Sequence, residues 1–362
     1  MSHRLFTLST ASKLMMSLVC LATSSAVIAN SDTLAKQQQA YKESLMSQLD
    51  PSAAPARNFD LSYWKITLPL PDHKPSRQGR VMEIMADELN DPIRPYTNHF
   101  WFYTDPKTGA MVMASPNTAP TTQNSANARS ELRALIDKDD PSTKFGDPKN
   151  NFVIDAHPQK QQYGAVGGKL AATLSVDWVS TSGDDSKFPS HSVVVGQIHG
   201  SSKVEPLKIY YRKLPNHEHG SLFWNYEIFP EDIDQRYDIP IAIWGAPTLT
   251  RQDADPVEGI KLGELFSYDV DVSGNIMTLT FVKNPGTDAA EVKTFKTDLS
   301  QPYPDQPLDQ GYANDWMYFK AGAYNQCNQG TSHPTWGTGC TNNGVEAGDY
   351  TQTSFYQLEI SH

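Results

Sequence analysis

Three short segments place ionisable side chains at alternate positions. In Arg129-Ser-Glu-Leu-Arg133 a period of two sets Arg129, Glu131 and Arg133 on one strand face and Ser130, Leu132 and Ala134 on the other. Near the end of the run 193–199, Gln197 and His199 share a face and Ile198 turns inward. In the run 318–326, Tyr318, Lys320, Tyr324 and Gln326 line up opposite Phe319, Ala321 and Ala323. Guanidinium groups bind carboxylates through paired hydrogen bonds, while amide, imidazole, ammonium and phenol groups donate, accept or carry protons. That mixture suits a sugar chain bearing carboxylates. A charged strand face is usually just a solvated face, and Lys and Tyr tips commonly snorkel over apolar neighbours. It is the complementarity of the three segments that points to a site.

Strands are needed to hold these faces, and the composition favours them. Sixteen Tyr, 14 Phe and 7 Trp accompany 25 Pro and 22 Gly, a balance of strand formers and turn formers. Alternation begins at Trp64 in the run 58–69 and stops at Pro69 and Pro71. The runs 99–103 and 111–113 flank a turn at Asp105-Pro-Lys-Thr-Gly109, and Ser273-Gly274 joins the runs 265–272 and 276–282; both read as hairpins. Further strand-like runs cover 169–179, 192–199, 207–213, 222–229, 316–326 and 354–360. This predicts an all-β protein, a β-sandwich or jelly roll formed by one domain over residues 58–362.

The 362-residue chain opens with Arg4 and Lys13 before an apolar run, followed by Ala26-Val-Ile-Ala29, so residues 1–29 read as a secretory signal peptide. A lipid anchor on Cys20 is the alternative, with Ser17 and Val19 as poor neighbours for it. Residues 30–57 read as a short weak helix and linker without a function. Export leads to the periplasm or the medium, and Cys327 and Cys340 are then expected to form a disulfide, worth about 3 kcal/mol for so short a loop. No later segment is long and apolar enough to span a membrane. A net charge of −11 argues against a nucleic-acid-binding or membrane-binding surface, so any polyanion must meet a local cationic patch. The expected state is a soluble monomer.

Other chemistries have less support. His217-Glu218-His219 lacks further ligands at a recognisable spacing, so no metal is expected there, and Asp137, Asp139 and Asp140 read as a solvated turn. No serine-hydrolase elbow, P-loop or dinucleotide fingerprint is present. A glycoside hydrolase would need two carboxylates across the bond, for which Glu227 with Glu231 or Glu131 could be nominated. A carbohydrate-binding module would need neither His199 nor Tyr324.

Asn58-Phe-Asp-Leu-Ser-Tyr-Trp-Lys-Ile-Thr-Leu-Pro69, Arg129-Ser-Glu-Leu-Arg133, Gln197-Ile-His199 and Tyr318-Phe-Lys-Ala-Gly-Ala-Tyr-Asn-Gln326, in that order, resemble the alginate lyases of polysaccharide lyase family 7. The tail Gly348–Tyr356 also looks like the family's last strand. The resemblance implies a jelly roll whose concave sheet forms a groove for alginate, cleaved by β-elimination without a cofactor; attack within the chain is the expected mode, with terminal attack the alternative that loop closure over the groove decides. It implies Tyr324 as general acid and, for mannuronate, also base, with His199 as base for guluronate. Arg129 and Gln197 would join His199 in neutralising the sugar carboxylate. Arg133, Lys320, Tyr318 and Gln326 would bind substrate, and Glu131 would belong to the same set by orienting the arginines. Isoleucine between Gln197 and His199 leans toward guluronate or mixed blocks.

Overall fold

The computed structural model describes residues 32–137, 146–201, 204–330 and 336–362; the expected signal peptide, Asp139 and Asp140 lie outside them. Its strands are β1 (Trp64–Pro71), β2 (Val81–Ile84), β3 (Phe102–Thr104), β4 (Met111–Pro116), β5 (Arg129–Ala134) and β6 (Phe152–Val153). Next come β7 (Ala165–Val166), β8 (Gly168–Trp178), β9 (Ser192–Gly200), β10 (Leu207–Arg212), β11 (His219–Glu227) and β12 (Asp238–Trp244). The last are β13 (Ile260–Lys261), β14 (Leu265–Ser273), β15 (Ile276–Lys283), β16 (Glu291–Asp298), β17 (Met317–Asn325) and β18 (Tyr350–Ser361). Two sheets result, ordered β12-β11-β10-β9-β17-β5-β1-β2 and β16-β15-β14-β8-β18-β4-β3, with β6, β7 and β13 attached to the first. The main pairings are antiparallel, as in a jelly-roll sandwich.

The sandwich closes on one apolar core. Trp64, Ile66 and Leu68 of β1, Leu132 of β5, Ile198 of β9 and Phe319 of β17 join Leu174, Phe266, Phe281 and Phe355 of the other sheet in it. Burying each such side chain stabilises the fold by about 1.5–3 kcal/mol. With alternate residues committed to the core, the remaining residues of β1, β5, β9 and β17 must face outward.

On β9 this alternation changes phase. Val193 and Val195 point into the core, and continued alternation would bury Gln197 and His199 there too. Instead Ile209 pairs with Gly196 and Tyr210 with Val194, so Val195 is an extra residue, a β-bulge. The core Tyr268 hydroxyl donates to the Val195 carbonyl at 3.1 Å. Gly196 is required beneath that ring, because a Cβ there would lie 2.9 Å from the phenol. Beyond the bulge Ile198 packs inward and Gln197 and His199 turn to the opposite face.

Both expected hairpins form, β3–β4 and β14–β15. Strands β2, β12 and β16 escape sequence reading for a common reason: each ends a sheet or path, where one side needs no ladder partner. Pro240 makes β12 look like a non-strand, and β16 is largely exposed. In the N-terminal segment, helix α1 (32–46) docks on the sandwich, with Leu45 packed on Ala110 and Tyr356, and Gln37 and Gln38 bonded to Asp288 and Asn284.

Candidate active site

The outer face of the first sheet carries a groove of about 740 Å³, within the range of ligand pockets. Lys65 and Thr67 of β1, Arg129 and Arg133 of β5, Tyr318, Lys320 and Tyr324 of β17, and His199 of β9 line it. Lys208 and Tyr210 of β10 and Glu227 of β11 continue it beyond β9. A depression of about 210 Å³ on the other sheet, among Thr173, Ser267 and Gln357, holds no such cluster.

Strand register brings the three sequence segments together. Tyr324 pairs with Arg129 and Lys320 with Arg133 across β17–β5, while Lys320 faces Gln197 and Tyr318 faces His199 across β17–β9. Gly322 lies opposite Glu131 at φ 153°, and a Cβ there would come within 2.5 Å of the Ser130 carbonyl oxygen. Glycine therefore lets the two strands approach.

Glu131 is buried beneath the groove at 1% exposure and, unlike Arg133, Lys320 and Tyr318, does not line it, so it bears on a substrate through the groups it holds. Its Oε2 accepts from Arg129 Nη1 at 3.0 Å and is ion-paired to Lys320, while Oε1 accepts from Gln197. Burial raises its pKa, but Lys320 and Arg129 outweigh this and hold it below the usual carboxylate value. Gln197 is buried as well and sits below the groove lining. Glu131 thus aims two cations and one amide from underneath.

The groove-facing groups are closely coupled. Arg129 Cζ lies 3.8 Å from the centre of the Tyr324 ring and Lys320 Nζ lies 5.6 Å from it. The Tyr324 hydroxyl is 2.9 Å from Ser125 Oγ. Arg133 is 4.1 Å from the Tyr318 ring and donates to Asn151 at 2.9 Å and to the Ala134 carbonyl at 2.8 Å. The Gln326 side-chain oxygen Oε1 accepts from Asn127 Nδ2 at 3.2 Å. Burial, helped by Arg129, pushes Lys320 down to about 8. Burial also raises Tyr318 despite the nearby arginines.

His199 stacks on Tyr318 with ring centres 5.0 Å apart. Its Nδ1 lies 2.7 Å from the Gly200 carbonyl oxygen, which only accepts, so Nδ1 carries a proton. Its Nε2 lies 3.0 Å from Glu205 Oε1. Burial pushes the imidazole down to about 4, and Glu205 is the strongest group pulling it back.

Sequence reading missed Ser125, Lys65, Glu205 and Lys208. Lys65 had a signal: it alternates with the buried Trp64 and Ile66. Ser125 lies in a loop and Glu205 just before β10, where no periodicity marks them. The expected disulfide Cys327–Cys340 is present, with Cα atoms 5.6 Å apart. It closes a loop from which Trp336 donates to Asp238 at 2.7 Å. His217 and His219 do not converge: His217 Nε2 meets the Asp253 carbonyl at 3.1 Å, and His219 Nδ1 meets Asp255 at 2.6 Å. His219 opens β11. The carboxylates nominated for hydrolysis are poorly placed, since Glu131 and Glu227 are buried and ion-paired and Glu231 is outside the groove.

A jelly-roll sandwich with a groove combining anion-binding cations, an imidazole and a phenol defines the class: a polysaccharide lyase. Residues 59–362 match the family model described as Alginate lyase. An alginate lyase of Klebsiella pneumoniae is 34% identical over 320 residues, 85% of this chain and 91% of the relative. The crystal structure of the alginate lyase from Klebsiella pneumoniae superposes with a TM-score of 0.68 at 30% identity, covering 86% of this chain and 99% of that one. The exolytic family 7 alginate lyase AlyA5 from Zobellia galactanivorans gives 0.67 at 30% identity, covering 85% and 97%. The chain belongs to the alginate lyases of polysaccharide lyase family 7.

Proposed function

We propose that this alginate lyase cleaves 1,4-linked mannuronate and guluronate chains by β-elimination within the groove, with Tyr324 and His199 as its proton carriers. A base removes the C5 proton, the C4–C5 double bond forms, and the C4–O bond breaks. The Tyr324 hydroxyl protonates the departing C4 oxygen, and no water is added. For mannuronate Tyr324 is also the base; for guluronate, whose C5 has the opposite configuration, the base is His199. Arg129, aided by Gln197, neutralises the carboxylate next to C5, so the developing negative charge meets preorganised donors. Lys320, Arg133, Tyr318 and Gln326 hold neighbouring sugars.

The observation that carries this reading is that Tyr324 and His199, on adjacent strands, line one groove together with Arg129 and Lys320 of a Glu131-centred ion cluster. The same groove supports attack inside the chain. It is lined from Glu83 of β2 to Glu227 of β11, six strand spacings or roughly 29 Å at about 4.8 Å each, with lining on both sides of β17. Secretion after removal of residues 1–29 places the enzyme where it meets the polymer, acting as a monomer on alginate.

The test is ultraviolet absorbance of unsaturated product, followed on mannuronate-rich and guluronate-rich blocks together with the size of the products. Early mixed oligomers and faster turnover of guluronate or mixed blocks are expected. Reducing ends without absorbance would defeat the elimination, and release of a single small product from the outset would defeat internal attack.

A further inference from the structure

Glu205 takes no part in the proton transfers proposed above, yet it is the carboxylate in contact with His199. Its backbone is clamped to β11: Glu205 N donates to Glu227 Oε2 at 2.8 Å and the Glu205 carbonyl accepts from Glu227 N at 3.3 Å. Its two carboxylate oxygens then face different partners, Oε1 toward His199 Nε2 at 3.0 Å and Oε2 toward Lys208 Nζ at 3.3 Å. Lys208 is itself held by Asp238 at 2.9 Å. The carboxylate is therefore delivered to the ring by a fixed framework, not by a free surface side chain.

The contact constrains what His199 can do. Because Nδ1 donates to the Gly200 carbonyl, the lone pair able to accept a C5 proton is on Nε2. A bare Nε2 lone pair and an ionised carboxylate oxygen at 3.0 Å repel each other unless a proton lies between them. That proton must leave before Nε2 can act as a base. Among the described residues, the other charged and titratable groups facing the ring or Glu205 are Lys320 and Tyr318 from β17, Arg129 from β5, Lys208 from β10, Glu227 from β11 and Asp315 next to Gly200. Among the described residues, Glu205 supplies the carboxylate within hydrogen-bond distance of Nε2.

We infer that Glu205 is a positioning residue that competes for His199 Nε2 and sets the lowest pH at which the enzyme cleaves guluronate, leaving mannuronate cleavage through Tyr324 outside its control. This rests on the proposed division of labour between His199 and Tyr324. In the mutant Glu205→Gln the introduced amide can donate to Nε2, so no shared proton is needed. An opposite charge so close shifts a titration by about 1–3 units. The imidazole loses a charge that favoured its protonated form, so its basic form appears at lower pH.

The experiment is a pH–rate profile of kcat/KM on guluronate-rich and mannuronate-rich blocks for the wild type, Glu205→Gln, Glu205→Ala and His199→Asn. Expected is a shift of the acid limb on guluronate blocks to lower pH by about one unit in both Glu205 variants. The limb on mannuronate blocks keeps its position. Equal movement on both blocks, or movement on neither while His199→Asn abolishes guluronate cleavage, would overturn the role of Glu205 alone. If His199→Asn leaves guluronate cleavage intact, the assignment of His199 as base fails, and this inference fails with it. Circular dichroism of each variant separates these results from misfolding, and the Gln variant, closest in shape, carries the decision if the Ala variant does not fold.

Discussion

Arg129 and Tyr324 are register partners on β5 and β17, and the guanidinium carbon lies 3.8 Å from the centre of the phenol ring. The pairing comes from strand register, so it holds without any flexible loop. It sets a cation against the group assigned the proton transfers, with Ser125 2.9 Å from the hydroxyl itself.

Tyr324→Phe removes that hydroxyl and keeps the ring beneath Arg129. Loss of a positioned proton carrier lowers kcat by about 10²–10⁴ on both block types, read by absorbance of the unsaturated product. Arg129→Lys keeps the charge but not the planar fork, so a smaller fall is expected. A Tyr324→Phe enzyme with more than a tenth of wild-type kcat would move the proton chemistry elsewhere.

Glu131→Ala leaves Lys320 and Arg129 buried without their shared carboxylate. Breaking a buried ion pair by deleting one partner costs about 3–5 kcal/mol, so urea unfolding should show a loss of that size. Glu131→Gln keeps an acceptor and should lose less. A change below about 1 kcal/mol for the Ala variant would mean that solvent reaches this cluster.

Lys320 has its value pushed down to about 8, mainly by burial. A lysine is charged below its pKa, so the ammonium is present at neutral pH and lost as pH rises through about 8. KM for alginate should therefore rise above that pH. Arginine keeps its charge there, so Lys320→Arg should flatten the rise even if its absolute KM is poorer. A wild-type KM that stays constant to pH 9.5 would remove Lys320 from polyanion binding.

The Cys327–Cys340 bridge closes the loop that sets Trp336 against Asp238, with Arg236 Cζ 4.8 Å from the indole. Replacing both cysteines by serine should cost about 3 kcal/mol in thermal or urea unfolding. Because Trp336 lines the groove, KM for long chains should rise more than kcat falls. An unchanged KM would confine the bridge to stability.

Much of this protein can be read from one dimension because a strand is a simple device. A period of two decides that Arg129 and Arg133 share a face, that Tyr318, Lys320 and Tyr324 share another, and that Trp64 and Ile66 belong to the core. Proline and glycine mark the turns, and the spacing of Cys327 and Cys340 permits their bridge. The edge strands β2, β12 and β16 are invisible at that level, since half of their hydrogen-bonding capacity has no ladder to satisfy and their polar faces carry no alternation.

Folding contributed the relationships between segments distant in the chain. The order β9-β17-β5 joins His199, Lys320 and Arg129, which no local pattern relates. An extra residue at Val195 turns Gln197 and His199 away from the core, and its carbonyl accepts from the hydroxyl of Tyr268 of the other sheet. Burial converts Glu131 from an apparent surface charge into an anchor for two cations. Glu205 reaches His199 because Glu227 clamps its backbone. Each of these depends on distance, desolvation and register across strands, quantities that exist once the two sheets have closed on their core.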